Sequence, residues 1–269
     1  MDVLLFTHDP DYATAAVAAG VHAIVVDWEW SGKAERQAGR DTQINQGTDR
    51  DLATIRRAVG ERVICRINNA PGRSHDECRR AVALGASEVW LPMVRSVAQV
   101  EACLRSLDGG ARLGIMAETR EALRLGREFD QLPLARVYIG LHDYRIDSGN
   151  PGLFDPLVDG TIDRFREHYR GGFAVAGVTH PAGGRPLPQR LLLAAMVRLE
   201  ATFGVARRAF SADLPAHALP DGLTAIRREV GRLTARPASE VAADHAALAA
   251  AMAGCIDPPE PAGALACAP

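Results

Sequence analysis

Along most of the chain, short apolar runs alternate with longer segments in which apolar residues recur at helical spacing. Val3 to Phe6 reads as a first strand, and Asp11 to Ala19 as a helix stopped by Gly20, a favoured helix terminator. His22 to Asp27 is the second strand and Asp49 to Val59 the second helix. Arg62 to Asn68, Ser74 to Leu84, Glu88 to Met93 and Ser96 to Leu107 continue the alternation. Two further runs, Ala111 to Ala117 and Ala135 to His142, are strands separated by a polar segment long enough for one crossover helix. A helix over Phe154 to Tyr169, a strand over Phe173 to Val178, a helix over Pro188 to Phe203, a strand over Val205 to Phe210 and a helix over Asp213 to Leu233 complete eight βα units. That count in unbroken alternation predicts an α/β chain folded as a single (β/α)8 TIM-type barrel over residues 1–235. A doubly wound open sheet is the alternative, but Phe6-Thr7-His8-Asp9-Pro10 stands where its glycine-rich turn belongs.

Beyond the barrel, the alanine-rich segment Ala238 to Ala253 reads as an extra helix within residues 236–256. Its apolar face is expected to find no cover in its own barrel, which points to a homo-oligomer. The Pro- and Ala-rich residues 257–269 read as a disordered tail.

Composition narrows the function classes. A net charge of −2 with basic residues spread along the chain gives no footprint for nucleic acid. No apolar stretch approaches the roughly 20 residues of a membrane helix, and Met1-Asp2-Val3-Leu4 lacks the basic start of a signal peptide, so a cytoplasmic protein is expected. The 5 cysteines are widely separated and form no Cys-x-x-Cys pair, which argues against a disulfide framework or a zinc site.

The candidate chemistry lies at strand ends. The runs from Ala111 and Ala135 stop at single carboxylates, Glu118 and Asp143, one βα unit apart. In a parallel barrel, residues just beyond adjacent strand ends converge on one crevice. Facing carboxylates repel unless a cation lies between them, so a hard divalent ion is one reading; capping of the following helices is the other. Arg66 interrupts an apolar strand and must meet an anion or a wet cavity. The second strand ends in Asp27-Trp28-Glu29-Trp30, followed by a long polar loop, Ser31 to Thr48, expected as a lid over the site.

Taken in order and spacing, several motifs resemble one barrel superfamily. They are Ala23-Ile-Val-Val-Asp27-Trp-Glu29, Cys65-Arg66-Ile-Asn68, Leu84-Gly-Ala, Leu91-Pro92, Ala117-Glu118-Thr and Ile139-Gly140-Leu-His-Asp143. From Val3 to Ala209 the chain resembles the class II 2-keto-acid aldolases (HpcH/HpaI type) and the citrate lyase beta-subunit-like enzymes. Both belong to the phosphoenolpyruvate/pyruvate barrel superfamily. The resemblance implies Mg2+ or Mn2+ held by Glu118, Asp143 and waters, with Arg66 gripping an oxygen of a small keto acid or thioester. Asp27 and Glu29 match the family's Asp-x-Glu and would support the metal's waters and Arg66 from behind. Pro92 and Met93, at the end of the fourth strand, are expected to line the substrate. A chelated cation and an arginine fork can each stabilise the oxyanion that develops when a carbon–carbon bond next to a carbonyl is made or broken.

The chain departs from both groups of relatives directly after Asp-x-Glu. The aldolases carry a histidine there and the lyase-like enzymes an aspartate, whereas this chain has Trp30, which cannot relay a proton near neutral pH. His142 is the nearest replacement base, with His180 and His8 weaker candidates, and Trp30 is expected to close the pocket by packing. Arg120, Arg145 and Arg185 also fall in βα loops and could bind a second carboxylate, a phosphate or CoA. Two classes of function stay open: a metal-dependent lyase acting on a 2-keto acid or a CoA thioester, and a barrel that has kept the scaffold as a binding protein.

Overall fold

The computed structural model describes residues 1–30, 47–207 and 210–253. The expected tail lies outside them, as does the expected lid apart from Gly47 and Thr48. The chain is a parallel α/β barrel. Its strands are β1 (Asp2–Phe6), β2 (Ala23–Asp27), β3 (Val63–Arg66), β4 (Glu88–Leu91), β5 (Arg112–Met116), β6 (Leu134–Ile139), β7 (Phe173–Val175), β8 (Gly177–Val178) and β9 (Phe203–Ala206). Their order, β7-β6-β5-β4-β3-β2-β1-β9-β8, is a ring cut at one seam. The seam lies within a single chain segment. Ala176 takes a left-handed φ of 60° and divides β7, which pairs with β6, from β8, which pairs with β9. Thr202 N–H donates to the Phe173 carbonyl at 2.9 Å, and Phe173 N–H to Thr202 Oγ1 at 3.1 Å, which joins the two sides.

Period-two alternation sorts each strand into two faces. Val3, Leu5, Ile24, Val26, Val63, Cys65, Val89, Leu91, Leu113 and Ile115 face the helices in one large core. Leu4, Ala23, Val25, Ile64, Trp90, Met116, Ala174, Phe203 and Val205 fill the barrel interior, with Phe6 and Tyr138 packed against them. Near the strand starts the interior holds a polar knot. Glu88 is wholly buried, accepts from Trp90 Nε1 at 2.6 Å, and lies 2.9 Å from Arg136 and 3.2 Å from Arg112. Gly114 makes room for it: a Cβ there would lie 2.6 Å from the Trp90 ring.

The helices are α1 (Pro10–Ala19), α2 (Asp49–Val59), α3 (Arg73–Ala83), α4 (Val97–Leu107), α5 (Arg120–Arg124), α6 (Gly126–Asp130), α7 (Leu141–Ser148), α8 (Thr161–His168), α9 (Gln189–Arg198), α10 (Phe210–Asp213), α11 (Leu219–Thr234) and α12 (Ala238–Ala253). Thr48 and Ser96 close capping boxes on α2 and α4, and Gly20 ends α1 in the left-handed region.

Several sequence expectations change. The crossover between β5 and β6 is two short helices rather than one. The expected helix over Phe154 to Tyr169 begins only at Thr161, after a 3-10 turn at Asp155–Leu157 and a left-handed Gly160. Helix α9 stops at Arg198, with Glu200 left-handed, so Phe203 opens β9 instead of closing the helix. The segment from Asp213 turns through a 3-10 stretch before α11 starts at Leu219.

The C-terminal helix does find cover in its own barrel, contrary to expectation. Leu248 is buried, Ala251 and Met252 pack on the core, and Asp244 pairs with Arg190 of α9 at 2.7 Å and with Arg236. Among the described residues, no helix is long and apolar enough to cross a membrane.

Candidate functional site

Strand parity carries charged side chains into the barrel's upper interior. In β2, Ala23 and Val25 point inward, so Asp27 does too; in β3, Ile64 points inward and so does Arg66. The register sets Asp27 beside Arg66 on neighbouring strands. Arg66 donates from Nε to Asp27 Oδ1 at 2.8 Å and from Nη2 to Oδ2 at 2.6 Å, a side-on fork. Its Nη1 lies 3.1 Å from Glu29 Oε2 and 3.7 Å from the Met116 sulfur, and its guanidinium stands 4.8 Å from the centre of the Phe6 ring. Burial works against the charge on Arg66, but Asp27 and Glu29 outweigh it and hold its pKa above the ordinary value.

The carboxylates are held from behind by backbone. Asp27 Oδ1 also accepts from Glu29 N–H at 3.0 Å, which orients the Asp-x-Glu turn. Asp27 N–H donates to His8 Nε2 at 3.1 Å, so the His8 ring carries its proton on Nδ1. Asn68 is buried and ties this turn to α3, accepting from Trp30 N–H at 3.0 Å and donating to Glu77 at 3.0 Å.

Glu118 follows β5 and is 2 % exposed. Its Oε2 accepts from Met93 N–H at 3.2 Å, which Met93 can offer because its backbone is left-handed at φ 48°. The carbonyls of Pro92 and Met93 are held by Asn69 Nδ2 at 2.9 and 3.0 Å, fixing that turn. Burial pushes the Glu118 pKa well above the ordinary carboxylate value, and Asp143 and then Glu29 add repulsion that Arg66 and the Met93 amide do not cancel.

Asp143 does not lie at a strand end as expected. Strand β6 stops at Ile139, Gly140 caps the next helix, and His142 and Asp143 occupy the first turn of α7. Gly140 is needed there, because a Cβ would overlap Glu118 Oε1. Asp143 is 8 % exposed, whereas His142 is only half-buried.

Trp30 stands on the rim with 45 % of its surface exposed, its ring under the Arg73 guanidinium at 4.6 Å. It lines a shallow cleft with Arg73, Asp76, Glu77 and Arg80. His180 accepts from Ala182 N–H at 3.2 Å.

Phe6, Tyr138 and Met116 are not among the site residues expected above, although strand parity marks all three as inward. Tyr138 stacks on Trp90 at 6.0 Å and donates to the Ala176 carbonyl at 3.2 Å. Burial and then Glu118 push its phenol above the ordinary value, which keeps it protonated.

The donor set fits a hard divalent cation. All the candidate donors are carboxylate oxygens, and the Gly140 backbone leaves Glu118 room against α7. No three His, Cys, Asp or Glu side chains among the described residues form a ready cage. A bound ion would therefore have two protein ligands and otherwise water or substrate, the usual habit of Mg2+.

A comparison with models of protein families and with curated protein sequences finds no match. Solved structures do share the fold. RipC from Yersinia pestis superposes with a TM-score of 0.56 at 15 % identity, over 90 % of this chain and 98 % of that one. Citrate synthase SbnG gives 0.56 at 18 % identity over 85 % and 94 % of the two chains. The 3-hexulose-6-phosphate synthase of Salmonella typhimurium gives 0.57 at 14 % identity over 87 % and 98 %. At such identities the likeness is one of fold.

Proposed function

We propose that this barrel is a divalent-metal-dependent carbon–carbon lyase of the aldolase type, acting through the enolate of a small 2-keto acid such as pyruvate or oxaloacetate. The observation that carries the reading is the buried carboxylate Glu118, beside Asp143 and within the influence of Arg66 at the C-terminal mouth of the barrel. Fold likeness to a citrate synthase supports the same class of chemistry.

Glu118 and Asp143 would hold Mg2+ or Mn2+, which supplies Lewis-acid stabilisation of the enolate oxygen when bound. Arg66 contributes a guanidinium fixed in plane by Asp27, so its remaining N–H groups can grip a substrate carboxylate or the developing oxyanion without reorganising. Phe6 and Tyr138 give this end of the interior apolar walls that limit water around the reacting carbon. His142, in the turn that carries Asp143, is the candidate to take or return a proton.

The test is exchange of pyruvate methyl protons in D2O, followed by NMR with and without Mg2+. The wild-type chain should catalyse metal-dependent exchange and Glu118→Gln should not. Absence of exchange at saturating metal and pyruvate would remove the 2-keto-acid reading. A CoA thioester substrate would show instead as exchange at the acyl carbon next to the thioester. The binding-protein alternative draws on Trp30, which stands beneath Arg73 at the position where relatives place their base. It predicts ligand binding with no exchange on either substrate.

A further inference from the structure

Helix α7 carries Asp143 and follows β6 after a single residue, with Leu141 and Tyr144 buried. It opens at Gly140, which offers no side-chain cap, and ends at a left-handed Gly149. A polar tie is added by Asp147, one turn after Asp143 on the same face. The Asp147 side chain is 11 % exposed. Its Oδ2 accepts from Arg120 N–H at 2.8 Å and its Oδ1 from Arg95 Nη2 at 2.5 Å. The other arm of Arg95 reaches Glu121 at 2.8 Å, and its backbone N–H is held by Gln99 at 2.8 Å. Arg95 lies two residues after Met93, whose N–H binds Glu118, and Arg120 lies two residues after Glu118 itself.

We propose that Arg95 is a positioning residue for the candidate metal site, locking α7 and its Asp143 through Asp147 against the two loops that hold Glu118. The inference rests on reading Glu118 and Asp143 as the ligands of a divalent cation. Its physical basis is a difference in sensitivity. A partly exposed ion pair adds little to global stability, whereas ligand distances must be held within a few tenths of an ångström for a metal to bind well. Loss of the lock should therefore register at the metal long before it registers in the fold. Groups that orient ligands without touching the metal typically change its affinity 10- to 100-fold when removed.

The experiment titrates the full-length chain with Mn2+, reading free ion by electron paramagnetic resonance, for wild type, Arg95→Ala and Arg95→Lys. Hydrogen exchange of residues 141–148 is measured on the same proteins without metal. Arg95→Ala should raise the Mn2+ dissociation constant by roughly tenfold. It should also quicken exchange across 141–148 while the melting temperature stays near that of wild type. Arg95→Lys, which keeps a cationic donor for Asp147, should recover part of the affinity. If Arg95→Ala does not fold, Asp147→Asn replaces it, with the same expected loss. Tight Mn2+ binding by wild type with undiminished affinity in Arg95→Ala overturns the role of Arg95 and leaves the metal site standing. Failure of wild type to bind Mn2+ removes the metal site, and the proposed role with it. Equal losses in Arg95→Ala and Arg95→Lys, with exchange raised throughout the barrel, mark Arg95 as a merely structural residue and also overturn the proposal.

Discussion

Arg66 meets Asp27 edge to edge across β2 and β3, with two parallel hydrogen bonds of 2.8 and 2.6 Å between side chains that are almost wholly buried. Replacing Asp27 by Asn would turn an amide NH2 toward one arm of the guanidinium and leave Arg66 without its strongest counter-charge. Breaking a buried pair in this way costs about 3–5 kcal/mol. Asp27→Asn is expected to lower the denaturation midpoint accordingly and to weaken binding of pyruvate. An unchanged midpoint in urea would show that Glu29 alone suffices for Arg66.

Glu118 makes stability depend on pH in a direction opposite to that of most carboxylates. Its folded pKa is raised, so over the window between the ordinary glutamate value of about 4.3 and that raised value the folded chain holds a proton that the unfolded chain has released. Stability of the metal-free protein should then fall as pH rises through that window. At the proposed metal site, Mg2+ would supply the missing positive charge, so its stabilising effect should grow with pH. Thermal melts from pH 4 to 8 with and without Mg2+ test this. Glu118→Gln should abolish both the Glu118-linked slope and the metal dependence.

Gly140 tests how closely α7 must approach Glu118. Since a Cβ at Gly140 would overlap Glu118 Oε1, Gly140→Ala must push either the carboxylate or the helix aside. The expected result is a folded protein whose Mn2+ affinity is lower by about tenfold to a hundredfold, the range seen when ligand orientation is disturbed. Wild-type affinity in this variant would mean that Glu118 can leave its place without cost to the site.

Glu88 offers the converse case, a change that harms the fold and spares the site. It is wholly buried between Arg136 and Arg112 at the opposite end of the barrel. Glu88→Ala should cost about 3–5 kcal/mol by stranding buried Arg136. Mn2+ affinity, measured where the variant is still folded, should be unaltered.

How much of this the sequence discloses depends on whether the signal is local. Helix α2 runs from Asp49 to Val59, as periodicity indicates, and α12 from Ala238 to Ala253, as its alanine content indicates. The inward placing of Asp27 and Arg66 follows from parity with their apolar neighbours. Helix α7 is hidden because Ile139-Gly140-Leu141-His142 reads as a continuous apolar run, and only the tertiary approach of Gly140 to Glu118 shows where the strand must end. Nothing in an alanine announces the left-handed turn at Ala176, so the divided strand is set by closure of the ring rather than by local preference. Cover for α12 comes from α9, some fifty residues earlier (Asp244 to Arg190 spans 54), and no local pattern carries that information.

The interior of this barrel is electrically graded along its axis. At the strand starts, one carboxylate, Glu88, sits with two guanidiniums; at the strand ends, Asp27 and Glu29 pair with Arg66, and Glu118 stands near Asp143. If Glu118 and Asp143 hold a cation as proposed, that cation would offset their charge toward an anionic substrate at this end of the barrel. On the proposed function, the expected order of loading is then metal first and keto acid second.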